Sequence, residues 1–155
     1  IKAYSNIFCY LNIPDTSGRD SLFQAEARRC VDIIDKVNII PNENTFCIFD
    51  ELYSGTNHYE AISSAYSYLN YLVNNYNFHF MMSTHFIDLC EKLEKNNKKI
   101  GNMKMCVTKK EDDFIYSYKM KPGISVVKGG VKVLIDLNYP EDIVKNTKKF
   151  LEEEF

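Results

Sequence analysis

No apolar run in these 155 residues approaches the roughly 18 needed to cross a bilayer, and no signal peptide opens the chain. The five cysteines, Cys9, Cys30, Cys47, Cys90 and Cys106, stand singly, with neither a Cys-x-x-Cys pair nor a Cys/His cluster. That pattern excludes a disulfide framework, argues against zinc and points to a reducing, cytoplasmic or nuclear setting. Three of them fall inside apolar patterns, where a free thiol packs as a small hydrophobe. Excess charge is missing too: 19 basic against 21 acidic residues leave a net −2. A stand-alone nucleic-acid binder carries a basic face, because phosphate neutralisation supplies most of its affinity. Here the lysines of 95–110 and 145–149 are diluted by acids and read as solvated surface. Any grip on DNA is therefore expected outside this chain. Linkers rich in Gly or Pro, repeats and low-complexity segments are absent as well. One domain over residues 1–155 is expected, with 45% apolar residues to build its core. The chain begins at Ile1 rather than Met, as a piece of a longer protein would.

What is present alternates between strand and helix. Residues 4–13 are rich in aromatic and β-branched residues and predict a strand; Pro14 to Asp20 reads as a loop by its turn chemistry. A helix is expected from Ser21, capped by Ser21 or Asp20, with Phe23, Ala27, Cys30, Ile34 and Val37 on one face. Phe46 to Phe49 is a short continuous apolar run, the mark of a strand buried on both faces. A second helix from about Tyr59 carries Ile62, Ala65, Tyr66, Leu69 and Val73; a strand over 78–82 and a third helix from Ile87 follow. This is the rhythm of an α/β fold, a mostly parallel sheet flanked by helices. Residues 103–108 and 114–120 predict an antiparallel strand pair around the turn 110–113. Two C-terminal helices follow, split at Tyr139-Pro140, with Pro140 suited to the first turn of the last one.

The chemistry-bearing residues sit where strands end. Asp50-Glu51 closes the run 46–49, and open α/β sheets take ligands beyond the carboxyl ends of their strands. An Asp there can hold Mg²⁺ through water, and a second carboxylate can orient or deprotonate an attacking water. A solvated strand end is the alternative reading of one such dipeptide. The next apolar run ends in Ser83-Thr84-His85, and His85 lies 34 residues beyond Glu51. One βαβ crossover takes about 30 residues, so the two would meet at one sheet edge. Gly55-Thr56-Asn57 follows, with a glycine able to turn its amide toward a ligand or a partner subunit.

Here a resemblance emerges. Asp-Glu-Leu-Tyr-Ser-Gly-Thr (50–56) resembles the Asp-Glu-Leu-Gly-Arg-Gly-Thr motif of the MutS family, a branch of the ABC-type P-loop ATPases. Ser83 to Phe86 is similar to that family's Thr-His element. Residues 18–26 resemble its Gly-x-Ser-Thr-Phe-Met-x-Glu-Met segment, with Ser21, Phe23 and Glu26 in register. Residues 116–123 and 136–140 match two later motifs in the family's order. The resemblance implies an ATPase of DNA mismatch repair that uses ATP and Mg²⁺ and works as a homo- or heterodimer on mismatched double-stranded DNA. Asp50 would be the Mg²⁺-linked acid, Glu51 the catalytic carboxylate and His85 the γ-phosphate sensor beside Thr84. Ser21 would reach the partner's nucleotide across the dimer. Gly55, Thr56 and Asn57 would face that same site, and Tyr118 would sit near the adenine.

The chain also departs from the pattern. Tyr53-Ser54 stands where the family has Gly-Arg, and Glu60-Ala61 where it has Asp-Gly. No Gly-x-x-x-x-Gly-Lys-[Ser/Thr] occurs anywhere, and in this family that loop lies upstream of Ile1. Two other readings stay open at this point: a MutS relative acting in recombination, and a non-catalytic dimerisation module. SMC-like ATPases fit less well, since Ser17-Gly18 is a poor match to their Leu-Ser-Gly-Gly.

Overall fold

The computed structural model describes residues 3–11, 21–110 and 113–154. The loop expected over Pro14 to Asp20, the end of the first expected strand and the middle of the turn at 110–113 lie outside the described residues. Two compact units, Ile1–Gly101 and Asn102–Phe155, make up the chain.

In the first unit, β1 (Asn6–Tyr10), β2 (Thr45–Asp50) and β3 (Phe78–Ser83) form a parallel sheet in the order β1-β2-β3. Helices α1 (Leu22–Ile39) and α2 (His58–Asn75) make the crossovers, and α3 (Ile87–Asn96) follows β3. Ser21 is the cap of α1. Its Oγ accepts from the Gln24 N–H at 3.3 Å, and its own N–H donates to Gln24 Oε1 at 2.9 Å. This reciprocal box satisfies amides that the helix itself cannot. At the start of α2, Asn57 Oδ1 accepts from the Glu60 N–H at 3.1 Å, and the Glu60 charge favours the positive end of that helix.

Side chains alternate across the strands, and the core forms on one face of the sheet. Tyr10, Cys47, Phe49 and Phe78 pack there with Cys30, Ile33 and Val37 of α1, Ala65, Leu69 and Leu72 of α2, and Leu89 and Leu93 of α3. Within these 155 residues β2 is buried on one face, not on both as expected. Ile48 is 41% exposed, in register between the exposed Cys9 and Met81. The reason is topological: right-handed crossovers between strands laid out in sequence order put α1 and α2 on the same side. Toward the amino end of the open face, the Tyr4 ring packs on Phe46 and His79 at 5.2 and 5.5 Å.

The buried stripe of α2 is wider than its sequence pattern suggests, taking in Ala61, Tyr68 and Leu72, while Tyr66 is only half-buried. Its neighbours account for the width. Tyr68 donates to the Cys30 carbonyl of α1 at 3.2 Å. On its α3 side the buried Asn97 donates to Asn70 Oδ1 at 2.8 Å.

In the second unit β4 (Met103–Lys110) pairs antiparallel with β5 (Asp113–Pro122), with an irregularity between Met105 and Val107. Gly123 ends the pair at φ 122°, a left-handed conformation that glycine adopts without strain, and its N–H donates to the Asn102 carbonyl at 2.9 Å. Two helices follow, α4 (Gly130–Asp136) and α5 (Glu141–Glu154). Pro140 stands just before α5 rather than within its first turn, and its carbonyl accepts from the Ile143 and Val144 amides. Among the described residues no helix is long and apolar enough to cross a membrane.

Burial pushes the Cys30 thiol up to about 11 and the Cys47 thiol up to about 12, and holds the phenols of Tyr10, Tyr53 and Tyr68 well above their usual range. Above the ordinary thiol range the native state then binds more protons than the unfolded chain, so stability falls as pH rises. The contribution is intact below about pH 9 and is lost as pH climbs through about 9 toward 11 and 12. Each buried thiol is expected to cost on the order of 1 kcal/mol per pH unit in that window, measured as denaturant midpoints across an alkaline pH series. Native-state alkylation should label Cys9 and reach Cys30 and Cys47 only after unfolding.

Candidate functional site

Asp50 ends β2 directly opposite Ser83, the last residue of β3. The Ser83 hydroxyl donates to Asp50 Oδ1, and the Glu51 N–H donates to the Ser83 carbonyl at 3.1 Å. His85 Nδ1 lies 3.4 Å from Glu51 Oε1, with the two side chains 63% and 43% exposed. Asp50, Glu51, Thr84 and His85 thus gather at the carboxyl edge of the parallel sheet, as their spacing predicts. Thr84 Oγ1 accepts from the Phe86 N–H at 3.1 Å, which turns the chain into α3. The His85 imidazole rests on the Phe86 ring, centroids 4.3 Å apart, and His58 lies on the same ring at 5.2 Å.

The turn after β2 is strained. Glu51 has φ 50° and Tyr53 φ 61°, left-handed conformations that cost a non-glycine residue roughly 1–2 kcal/mol each. Strain of this kind persists only where the surroundings over-determine it. Two anchors are visible within the turn itself. Leu52 is 1% exposed, and the Tyr53 ring is buried against Phe23 and Tyr68 at 5.6 and 6.3 Å. Tyr53 occupies the position where the resembled motif has glycine, and its positive φ explains why glycine suits that position.

The third anchor is Glu26, which sequence reasoning registered only as a motif match. It is 2% exposed. Its Oε1 accepts from the Ser54 N–H at 2.9 Å and the Ser54 hydroxyl at 3.0 Å, and its Oε2 accepts from the Gly55 N–H at 3.0 Å. A signal was available: the buried positions of α1 are 26, 30, 33 and 37, so the helical period places a carboxylate within the core stripe.

This clamp changes the reading of the loop. The Gly55 amide, expected to turn toward a ligand, is directed inward at Glu26. Glycine is required there for space, since a Cβ would stand 2.7 Å from both Leu22 Cγ and the Phe23 nitrogen. Thr56 donates to Glu60 Oε2 at 2.6 Å and Asn57 caps α2, so both side chains anchor the start of that helix. Ser21 lies one residue before Leu22, which brings the α1 cap and the loop after β2 to one locality. Tyr118 belongs to the second unit, where it is 84% exposed at φ 54°.

Among the described residues no three His, Cys, Asp or Glu side chains form a group able to hold a metal by themselves. The Asp50 carboxylate, at the strand end, is suited instead to a hard cation such as Mg²⁺. Such an ion takes one or two carboxylates and fills its shell with water and phosphate oxygens.

Comparison with known proteins adds an independent line. The family model described as MutS domain V matches residues 1–154. The chain is 28% identical over 136 residues, 86% of its length, to the DNA mismatch repair protein MutS of Finegoldia magna. Proteins of the same name from Prochlorococcus marinus and Caldanaerobacter subterraneus match at 26% over 152 residues (97% of the chain) and 27% over 135 residues (86% of the chain). The chain spans 16%, 16% and 15% of these three relatives, about a sixth of their length.

Two substitutions test the loop. Tyr53→Gly relieves about 1–2 kcal/mol of strain but removes a buried aromatic ring worth about 3–5 kcal/mol. A net loss of about 2 kcal/mol is expected in denaturant unfolding. Gly55→Ala forces a methyl group into backbone, at an expected cost of about 1–3 kcal/mol.

Proposed function

The chain belongs to the MutS domain V family, and from that membership we propose that its sheet edge is the hydrolytic half of an ATPase site serving DNA mismatch repair. The observation that carries this reading is the meeting of Asp50, Glu51 and His85 at the carboxyl ends of β2 and β3, with His85 3.4 Å from Glu51. Its substrate is ATP, with Mg²⁺. Asp50, oriented by the Ser83 hydroxyl, would hold the ion through water. When bound, Mg²⁺ neutralises charge on the β- and γ-phosphates. Glu51 orients the attacking water and takes its proton, a contribution of about 10²- to 10⁴-fold. From the adjacent strand end His85 donates to the γ-phosphate.

The half-exposure of Glu51 and His85 fits a site that a second surface completes. We assign that surface to a second MutS-type subunit, met by Ser21 at the helix cap and by the loop of Gly55, Thr56 and Asn57. Closure would expel water and strengthen every charge interaction at the edge. Hydrolysis would then depend on association, and association on mismatched double-stranded DNA held by other parts of the protein. The phosphates need a backbone cradle and a lysine that these 155 residues do not contain. Retention of Asp50, Glu51 and His85 together favours the enzyme over the non-catalytic dimerisation module.

Two measurements test the proposal. Glu51→Gln in the full-length protein is expected to lower ATP turnover at least about 100-fold while nucleotide binding persists; turnover at the wild-type rate sinks the assignment. The 155-residue chain by itself is expected neither to bind ATP tightly nor to hydrolyse it, and calorimetric titration showing tight binding would contradict the half-site.

A further inference from the structure

We propose that Glu26 is a positioning residue for ATP hydrolysis, fixing the strained turn that carries Glu51 to the helix cap at Ser21. The inference rests on the reading of Asp50, Glu51 and His85 as a hydrolytic edge. Glu26 touches none of these groups; it acts through the chain between them.

The geometry supports this role in three ways. First, the turn is under strain at two residues, Glu51 and Tyr53, and would relax unless held. Leu52 and Tyr53 hold its middle by burial, and the Glu26 carboxylate takes the next two amides, those of Ser54 and Gly55. Second, the three hydrogen bonds that Glu26 accepts at 2.9–3.0 Å all come from the loop, while the buried Tyr10 phenol lies close by on the core side. Both of its oxygens are engaged by the loop, and a carboxylate removed from water is costly unless so satisfied. Third, the fit permits little slack. Gly55 presses on Leu22 and Phe23, the first residues of α1 after its Ser21 cap, closer than any side chain would allow. Loop and helix start are therefore joined by contact on one side and by charge-assisted hydrogen bonds on the other. A shift of the loop would move Glu51 relative to Asp50 and His85 at the sheet edge, and a displacement of about 1 Å can cost about 100-fold in rate.

The experiment compares Glu26→Gln, Ser54→Ala, Glu51→Gln and Val37→Ala in the full-length protein. Glutamine keeps the size of Glu26 and can still accept from Ser54, but it presents an NH₂ where the Gly55 N–H needs an acceptor. The expected result is a kcat for ATP lowered about tenfold or more, a KM nearly unchanged, and faster hydrogen exchange at the Ser54 and Gly55 amides. Val37→Ala supplies a loss of stability by core truncation alone. If it lowers kcat as far as Glu26→Gln does at equal loss of Tm, Glu26 is only structural and the proposal is overturned. Wild-type kcat in Glu26→Gln with turnover abolished in Glu51→Gln also overturns it, and leaves the ATPase reading standing. Wild-type turnover in Glu51→Gln is the distinct signature of failure of that reading, and the role of Glu26 falls with it. Should Glu26→Gln fail to fold, Ser54→Ala decides. Removal of the hydroxyl donor alone is expected to lower kcat by a smaller factor at constant KM, and an unchanged kcat overturns the proposal.

Discussion

Taking a carboxylate out of water costs several kcal/mol unless its oxygens are fully hydrogen-bonded. Glu26 meets that condition with donors from Ser54 and Gly55. Much of the candidate site depends on this interaction. The start of α1, the loop after β2 and the first turn of α2 are drawn together by it, by the Gly55–Leu22 contact and by the Thr56–Glu60 and Asn57–Glu60 caps. A buried acid in a helix stripe looks like a liability in isolation. Here it ties the polar loop after β2 to α1.

The sheet contributes the other half of the arrangement. Parallel pairing of β2 with β3 in register places Asp50 beside Ser83, and one residue further brings Glu51 within reach of His85. None of these surface contacts stabilises the fold much, since exposed ion pairs contribute about 0–1 kcal/mol. Stability resides in the one-sided core of aromatic and aliphatic side chains beneath, and the edge is free to be shaped by chemistry. Strain at Glu51 and Tyr53 is tolerated because Leu52 and the Tyr53 ring are buried in that core.

The same economy accounts for Tyr53. Where the resembled motif has a glycine, this chain places a bulky residue in a left-handed conformation and offsets the cost with ring burial against Phe23 and Tyr68. Neighbouring Ser54, in place of the motif's basic residue, gives Glu26 an additional hydroxyl donor. Both departures thus turn the loop inward, toward α1.

Local pattern determined the elements and their order: the cap at Ser21, the apolar runs of β2 and β3, and the meeting of Asp50, Glu51 and His85 all follow from spacing along the chain. Those features depend on periods and crossover lengths that a linear string carries. Tertiary structure alone decided three things. Within these 155 residues α1 and α2 lie on the same face of the sheet, because crossover handedness rather than hydrophobicity sets which side a helix takes. The Gly55 amide proved to face Glu26, because its direction depends on a contact 29 residues away in sequence. And Tyr53 proved to bear strain, because a positive φ is imposed by the packing on either side of the turn and leaves no mark in composition.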